Sequence, residues 1–482
     1  MTSREWLALA VTGVPALMAA LVFVAPRHLV TTIAIAGAAL TGGLALTLAA
    51  VALHAPFDPF VGRAIVVDAA GGLLTGVIGA VGLASVVVSP AYLASSDGVR
   101  RERSYYAVLF AFWAILLGVP LAGNLGAAWL LVEATTAASA LLVGFSGKPR
   151  ALEAGWKYLI LTSLGLGIAL LGIVVLAAGV PGGGLGALSW RALTSYSAGG
   201  DTALVAYLFL LAGLAAKIGW APVHNWLPDA HSEAPPPVSA LLSAALLPAV
   251  LLVAWRAEQS LAPVVGARTA RDVMIFFGLL SLAVAIPFLW RPLPWKRLLA
   301  YSSLEHMGVI ALGIGFATPL ALAGVAVHIV AHAVAKALGF YAATPLLGHD
   351  PRAAGHAVTG IGRTKPELGA TMGLALGALA GLPPSPLFVS EVLIVAGGFQ
   401  AGRAWPAAAT ALLLALGFLG LAHSLLETTV GKARRRDALR TPGLRTLTAL
   451  AGVSLVLLLG LTGAAFWLPG ADLVDALVKG AL

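Results

Sequence analysis

Apolar stretches of about 20 residues, separated by short polar breaks, recur along the chain. An α-helix of that length crosses the roughly 30 Å hydrocarbon core of a bilayer. The pattern predicts about fourteen spans, near 6–26, 29–53, 66–92, 104–121, 123–145, 154–180, 202–222, 236–256, 272–290, 297–316, 318–345, 367–399, 405–427 and 446–468. No polar stretch between them is long enough to build a soluble core. The first span follows Arg4 and has a longer apolar run than a secretory signal, with no small-residue cleavage site, so it reads as a retained helix. The fold class expected is an all-α polytopic membrane protein.

Composition agrees. Hydrophobic residues make up 60% of the 482 positions and charged residues 10%, against roughly a quarter charged in soluble domains. Cysteine is absent. That excludes thiolate iron–sulfur ligation, Cys-type zinc sites and thiol catalysis within this chain, and no cofactor or metal is expected. The net charge of +9 is a topology signal and not a nucleic-acid footprint. Arg100, Arg101 and Arg103, then Lys148 and Arg150, Arg291, Lys296 and Arg297, Arg352, Arg363 and Lys365, and Lys432, Arg434, Arg435, Arg436, Arg440 and Arg445 fall in alternate loops on one side. Arg63, Arg191, Arg268 and Arg403 are scattered on the other. The positive-inside rule then places both termini on the non-cytoplasmic side of a prokaryotic cytoplasmic membrane.

Two spans are interrupted. Gly219-Trp-Ala-Pro222 follows Lys217 in the seventh, and Gly381-Leu-Pro-Pro-Ser-Pro386 precedes Glu391 in the twelfth. The breaks lie five spans apart, and five is odd, so spans 4–8 repeated as spans 9–13 would be inverted in the membrane. Inverted repeats with broken helices at matching places mark ion sites in transporters; an ordinary proline kink is the alternative for either break alone. The domain division expected is 1–103, 104–256 and 257–430 as the two repeats, and 431–482.

Ionisable residues inside the spans carry the chemistry. Glu133 lies in mid-span 5, Lys217 near the end of span 7, His328, His332 and Lys336 in span 11, and Glu391 in span 12. A charge at mid-bilayer costs at least about 2.5–3.5 kcal/mol, so such groups are paired or hydrated. Glu133 with Lys217 is the expected pair. A nearby carboxylate favours the charged amine and burial opposes it, so a small movement of either group loads or releases a proton. His328, His332 and Lys336 follow an i, i+4, i+8 spacing and share one helix face. Imidazoles in such a row can pass a proton toward Glu391; hydrogen bonds to neighbouring carbonyls are the alternative. Metal binding is set aside because two histidines at i, i+4 make half a site and no acidic or cysteine ligand lies nearby in sequence. Glu305 and His306 either join the path or form local hydrogen bonds, and His306 is kept as an additional relay candidate. Asp68 reads as an interfacial cap. His224, Asp229, His231 and Glu233 fall in a polar, proline-punctuated stretch, a loop or short interfacial segment, that is an ion entrance or, alternatively, an enzyme site without a nucleophile elbow. Gly182-Gly-Gly-Leu-Gly-Ala187 has no strand before it and is not a dinucleotide fingerprint.

The stretch Ala216-Lys-Ile-Gly-Trp-Ala-Pro-Val-His-Asn-Trp-Leu-Pro-Asp-Ala-His-Ser-Glu-Ala-Pro-Pro-Pro-Val-Ser-Ala-Leu-Leu242 resembles the signature of the proton-conducting membrane subunits shared by respiratory complex I, Mrp-type antiporters and energy-converting hydrogenases. Lys296 to Ser303 resembles a second family stretch. His-Ser-Glu-Ala and the Glu-His-Met after Tyr-Ser-Ser are most similar to the hydrogenase-4 component F type. The resemblance spans roughly residues 60–430. It implies a fourteen-helix core with two inverted five-helix units, and proton-relay roles for Glu133, Lys217, His332, Lys336 and Glu391. One departure matters: many members carry a lysine in helix 8, where this chain has Leu247-Pro248. The implied function is proton translocation within a redox-driven complex of hydrogenase-4 or complex I type. Other membrane subunits and a peripheral redox arm would be its partners, and the lipid bilayer its surroundings. The alternatives are an Mrp-type antiporter subunit carrying Na+ in exchange for H+, and a non-conducting scaffold.

Overall fold

The computed structural model describes residues 3–54, 65–95, 101–180, 185–197, 199–346, 357–432 and 443–465. Among these residues the fold is helical, with two isolated β-bridges and no strand. The helices are α1 (Ser3–Val24), α2 (Val30–His54), α3 (Ala69–Ser95), α4 (Glu102–Gly118), α5 (Leu125–Val143), α6 (Pro149–Gly179), the single turn α7 (Trp190–Leu193), α8 (Gly200–Ile218), α9 (Trp226–Glu233) and α10 (Pro236–Leu241). They continue as α11 (Leu247–Val265), α12 (Ala267–Leu289), α13 (Trp295–Phe316), α14 (Pro319–Tyr341), the turn α15 (Ile361–Thr364), α16 (Pro366–Leu379), α17 (Pro386–Gln400), α18 (Ala404–Val430) and α19 (Leu444–Ala465).

Twelve described helices are long and apolar enough to cross a bilayer, so the chain is a multi-pass membrane protein. The predicted fourth span is α4, with 17 residues, and the predicted twelfth is divided between α16 and α17, with 14 and 15. Arg63, Arg100, Arg352, Arg434, Arg435, Arg436 and Arg440 lie outside the described residues, as does most of the segment 431–482.

Lipid and protein faces separate by side-chain size. On α6, Trp156, Ile160, Leu164, Leu171 and Val174 are exposed, while Gly165 and Gly172 face α8. A Cβ on Gly213 of α8 would stand 2.4 Å from both the Ala169 nitrogen and the Gly165 oxygen. Small residues thus bring two backbones together where no hydrophobic force acts between lipid-solvated helices. By contrast α11 and α13 are buried along the whole of their apolar windows and form the centre of the bundle. Arg256 of α11 donates to Asp68 Oδ2 at 2.6 Å and to the Pro120 carbonyl at 2.9 Å. Asp68 also caps α3 by accepting from the Gly71 nitrogen. The expected cap is therefore also half of a buried ion pair that ties α3 and the end of α4 to the centre.

Both interruptions are true breaks with the same local form. α8 ends at Gly219 (φ 82°) and α16 is followed by Gly381 (φ 70°), and a cis X–Pro bond follows each, at Ala221–Pro222 and Pro383–Pro384. Glycine fits because side chains rarely adopt that backbone region. The freed backbone groups find partners: Trp226 Nε1 donates to the Ala216 carbonyl at 2.7 Å, and the Ala221 nitrogen to Ser281 Oγ at 3.1 Å. Ser385 caps α17 by accepting from the Phe388 nitrogen, with Pro386 at the first helical position.

One expectation is made specific here and another corrected. Residues 226–233, expected as a loop or a short interfacial segment, form the short helix α9, packed against α6 and α13. Lys296, counted among the loop charges, is buried in the first turn of α13 and donates to the carbonyls of Ser232 (2.8 Å) and Ala234. The physical reason is common to both: the end of a short buried helix leaves carbonyls without intrahelical partners, and an ammonium satisfies them.

Candidate functional site

The first cluster forms where α5, α6 and α8 meet. Lys217, near the broken end of α8, is fully buried. Its Nζ donates to Thr136 Oγ1 at 2.6 Å and to the Tyr158 hydroxyl, and stands 4.6 Å from the centre of the Tyr158 ring. Ser139 Oγ lies 2.7 Å from the same hydroxyl. Glu133 lies one turn before Thr136 on α5, half-buried; its Oε1 accepts from Ser163 at 2.7 Å, and Oε2 has no hydrogen-bond partner. Among the described residues no direct ion pair joins Glu133 to Lys217, although Glu133 is the opposing charge acting on it. The expected pair is thus not in direct contact. The reason is that Thr136 and Tyr158 reach the ammonium first.

The second cluster gathers α13, α14 and α17. His328, His332 and Lys336 are fully buried along α14, as their spacing requires, and the two rings lie 12° from parallel with centroids 6.5 Å apart. His306 of α13 enters this row. Its Nδ1 is 3.0 Å from His328 Nε2, and its ring meets that of His332 edge-on at 4.9 Å. His328 Nδ1 is 2.9 Å from Ser390 Oγ on α17, beside Glu391. Lys336 Nζ donates to Ser302 Oγ at 2.7 Å and to the Leu299 carbonyl at 3.0 Å, and feels the charge of buried Glu305. Lys336 is therefore held as Lys217 is, by a hydroxyl, with its carboxylate nearby but unbonded. The argument against a metal ligand set also changes, because Glu391 stands within 4.8 Å of His306 and His328 ligand atoms. Sequence proximity could not show this, since the three come from three different helices.

Between the clusters the chain has no lysine at Leu247-Pro248. A π-helical turn, Leu242–Leu246, stands just before that place, and its Ser243 hydroxyl meets Ser303 at 2.7 Å. Tyr158, Trp226, His231 and Phe340 form a row of rings with successive centroids 4.8, 6.4 and 5.3 Å apart. His231 is fully buried there and neither ring nitrogen has a hydrogen-bond partner. Asp229 instead pairs with Arg297 at 3.0 Å and Lys157 at 3.7 Å, so it is committed to ion pairs and not to a catalytic triad. Sequence reading missed Thr136, Tyr158, Ser302 and the central position of His231. The legible signal was modest: hydroxyl residues on the turns beside Glu133 and in the second family stretch.

Residues 122–417 match the family described as NADH:quinone oxidoreductase/Mrp antiporter, transmembrane. A hydrogenase-4 component F homolog from Methylacidiphilum infernorum is 34% identical over 332 residues, covering 67% of this chain and 69% of that protein. Among solved structures, the chain superposes on a subunit of the membrane-bound sulfane sulfur reductase, an archaeal respiratory membrane complex (TM-score 0.83, 20% identity, covering 99% of this chain and 98% of that one). It also superposes on a subunit of the Mrp complex from Dietzia sp. (TM-score 0.81, 21% identity, both chains covered in full).

Proposed function

The chain belongs to the NADH:quinone oxidoreductase/Mrp antiporter family of membrane subunits, and on that premise we propose that it translocates protons within a redox-driven complex of hydrogenase-4 type. The fold spans the membrane fourteen times, with α4 and the α16–α17 pair added to the twelve long helices. Two inverted five-helix units are centred on the breaks after Lys217 and before Glu391. Both termini lie on the non-cytoplasmic side of a prokaryotic cytoplasmic membrane. Partner membrane subunits and a peripheral redox arm supply the electron transfer.

One observation carries this reading: Lys217 and Lys336 are each fully buried and hydrogen-bonded by hydroxyls, with the opposing carboxylate close but not in contact. Neither ammonium is fixed by a contact ion pair, so its charge depends on where the carboxylate stands. A separated pair stores a choice. Halving a charge separation from roughly 8 to roughly 4 Å at an effective dielectric near 20 changes the interaction by about 2 kcal/mol. Moving one charge against 100 mV costs about 2.3 kcal/mol. An approach of that size by Glu133 or Glu305 therefore changes the cost of charging the lysine by about as much as moving one charge across the membrane requires. The path runs from Glu133 through Lys217, past His231 and the Ser243–Ser303 hydroxyls, to Lys336, His332, His328, His306 and Glu391.

The test is reconstitution of the intact complex in vesicles with a pH-sensitive dye. Lys217→Met is expected to lower the protons moved per electron while electron transfer continues. An unchanged ratio in both Lys217→Met and Lys336→Met refutes the reading and leaves the scaffold. Pumping that requires sodium favours the cation/proton antiporter.

A further inference from the structure

We propose that the chain reversibly binds a divalent transition-metal ion of the zinc class at His306, His328 and Glu391. One ligand atom from each lies within 4.8 Å of the others. His306 Nδ1 and His328 Nε2 are 3.0 Å apart. Two nitrogens on a tetrahedral zinc, each at about 2.0–2.1 Å, stand roughly 3.3 Å apart. Opening by a few tenths of an ångström, with both rings turned so that their lone pairs converge beside the line between the nitrogens, lets the metal replace the shared hydrogen.

The far side of the His328 ring is already held for this role. Its Nδ1 is 2.9 Å from Ser390 Oγ, and that hydroxyl donates to the Leu387 carbonyl at 2.7 Å. The single hydroxyl proton is therefore used, so Ser390 accepts from His328 Nδ1–H, and the Nε2 lone pair points to His306. Such an outer hydrogen bond orients metal-bound imidazoles. His306 then carries its proton on Nδ1. On metal binding that proton moves to Nε2, which has no hydrogen-bond partner. The ion takes two neutral nitrogens and one carboxylate oxygen, with a fourth position left for water. Two imidazoles and one carboxylate suit zinc, cobalt, nickel or copper, whereas magnesium and calcium prefer oxygen ligands alone. Both histidines are buried and Glu391 is half-buried, its carboxylate against Gly381 in the helix break. The ion enters from that side.

The consequence for transport rests on the proton-relay reading: a bound ion occupies three groups of the relay, so zinc stops proton movement through this subunit. The experiment titrates zinc into the intact purified complex after chelator treatment, with pumping measured in parallel. The expected result is a saturable zinc whose absorption-edge spectrum shows imidazole scattering. It is lost in His306→Gln and Glu391→Gln and kept in Glu133→Gln. Ser390→Ala, which leaves all three ligands in place, weakens binding by about ten- to a hundredfold and gives the comparison in an assembled complex if a ligand variant fails to assemble. Imidazole-bound zinc absent from the wild type, or bound equally tightly by His306→Gln and Ser390→Ala, overturns the proposal. Zinc bound at the site without any effect on pumping upholds the metal site and counts against the relay.

Discussion

Tyr158→Phe isolates the hydrogen-bonding of Lys217 from everything else that holds it. The substitution removes one oxygen and keeps the ring, so the packing of ring 158 on Trp226 at 4.8 Å and the ammonium over its face at 4.6 Å remain. Ser139 is not orphaned, because its hydroxyl also donates to the Thr135 carbonyl. What is lost is one of the two hydroxyl acceptors of the Lys217 ammonium. A hydrogen bond to a charged group contributes about 1.5–3 kcal/mol, and about 1.4 kcal/mol corresponds to one pH unit. The acceptor stabilises the charged form, so its removal means that more acid is needed to load the lysine. The pumping profile of the reconstituted complex should move toward acid pH by roughly one to two units. Thr136→Val removes the other acceptor and should shift it in the same direction. Tyr207→Phe is the control: it deletes a buried hydroxyl bonded to the Ala270 carbonyl at 3.1 Å, away from the lysine, and leaves the profile in place. A Tyr158→Phe profile that superimposes on the wild type, or that moves to alkaline pH, refutes the reasoning.

Three further outcomes follow from the same structure. Arg256→Met strands the buried carboxylate of Asp68 and is expected to lower stability by about 3–5 kcal/mol; Asp68→Asn combined with it should recover part of the loss in thermal unfolding of the detergent-solubilised protein, and full stability of the single variant would contradict this account. Gly213→Val forces α6 and α8 apart, because even a Cβ would stand 2.4 Å from the Gly165 oxygen; native gels should show loss of assembled complex, and normal assembly would count against the close packing. Gly417→Ala puts a methyl where a Cβ lies 2.1 Å from Glu305 Oε1; the carboxylate is the flexible partner and must swing, so pumping should fall while the complex still assembles, and unaltered pumping would show that Glu305 does not govern the loading of Lys336.

What the sequence determined is what depends on neighbours along the chain. Apolar runs sized to a bilayer give the helices, since water cannot satisfy a backbone in lipid and each span must satisfy its own. Glycine and proline after Lys217 and before Glu391 give the breaks, and the i, i+4, i+8 spacing puts His328, His332 and Lys336 on one face. The family stretch from Ala216 to Leu242 was legible for the same reason. Tertiary structure decided what each charge meets. Glu133 and Lys217 belong to different helices, and their separation is set by Thr136 and Tyr158 on α5 and α6. His306 joins the histidine row and Glu391 completes a ligand set only because α13, α14 and α17 converge. Lys296 and His231, which looked like loop residues, are buried because α9 folds back into the bundle. Helix formation is local, and a linear pattern records it. The solvation of a buried charge depends on which groups from other helices arrive beside it, and only the folded bundle brings them there.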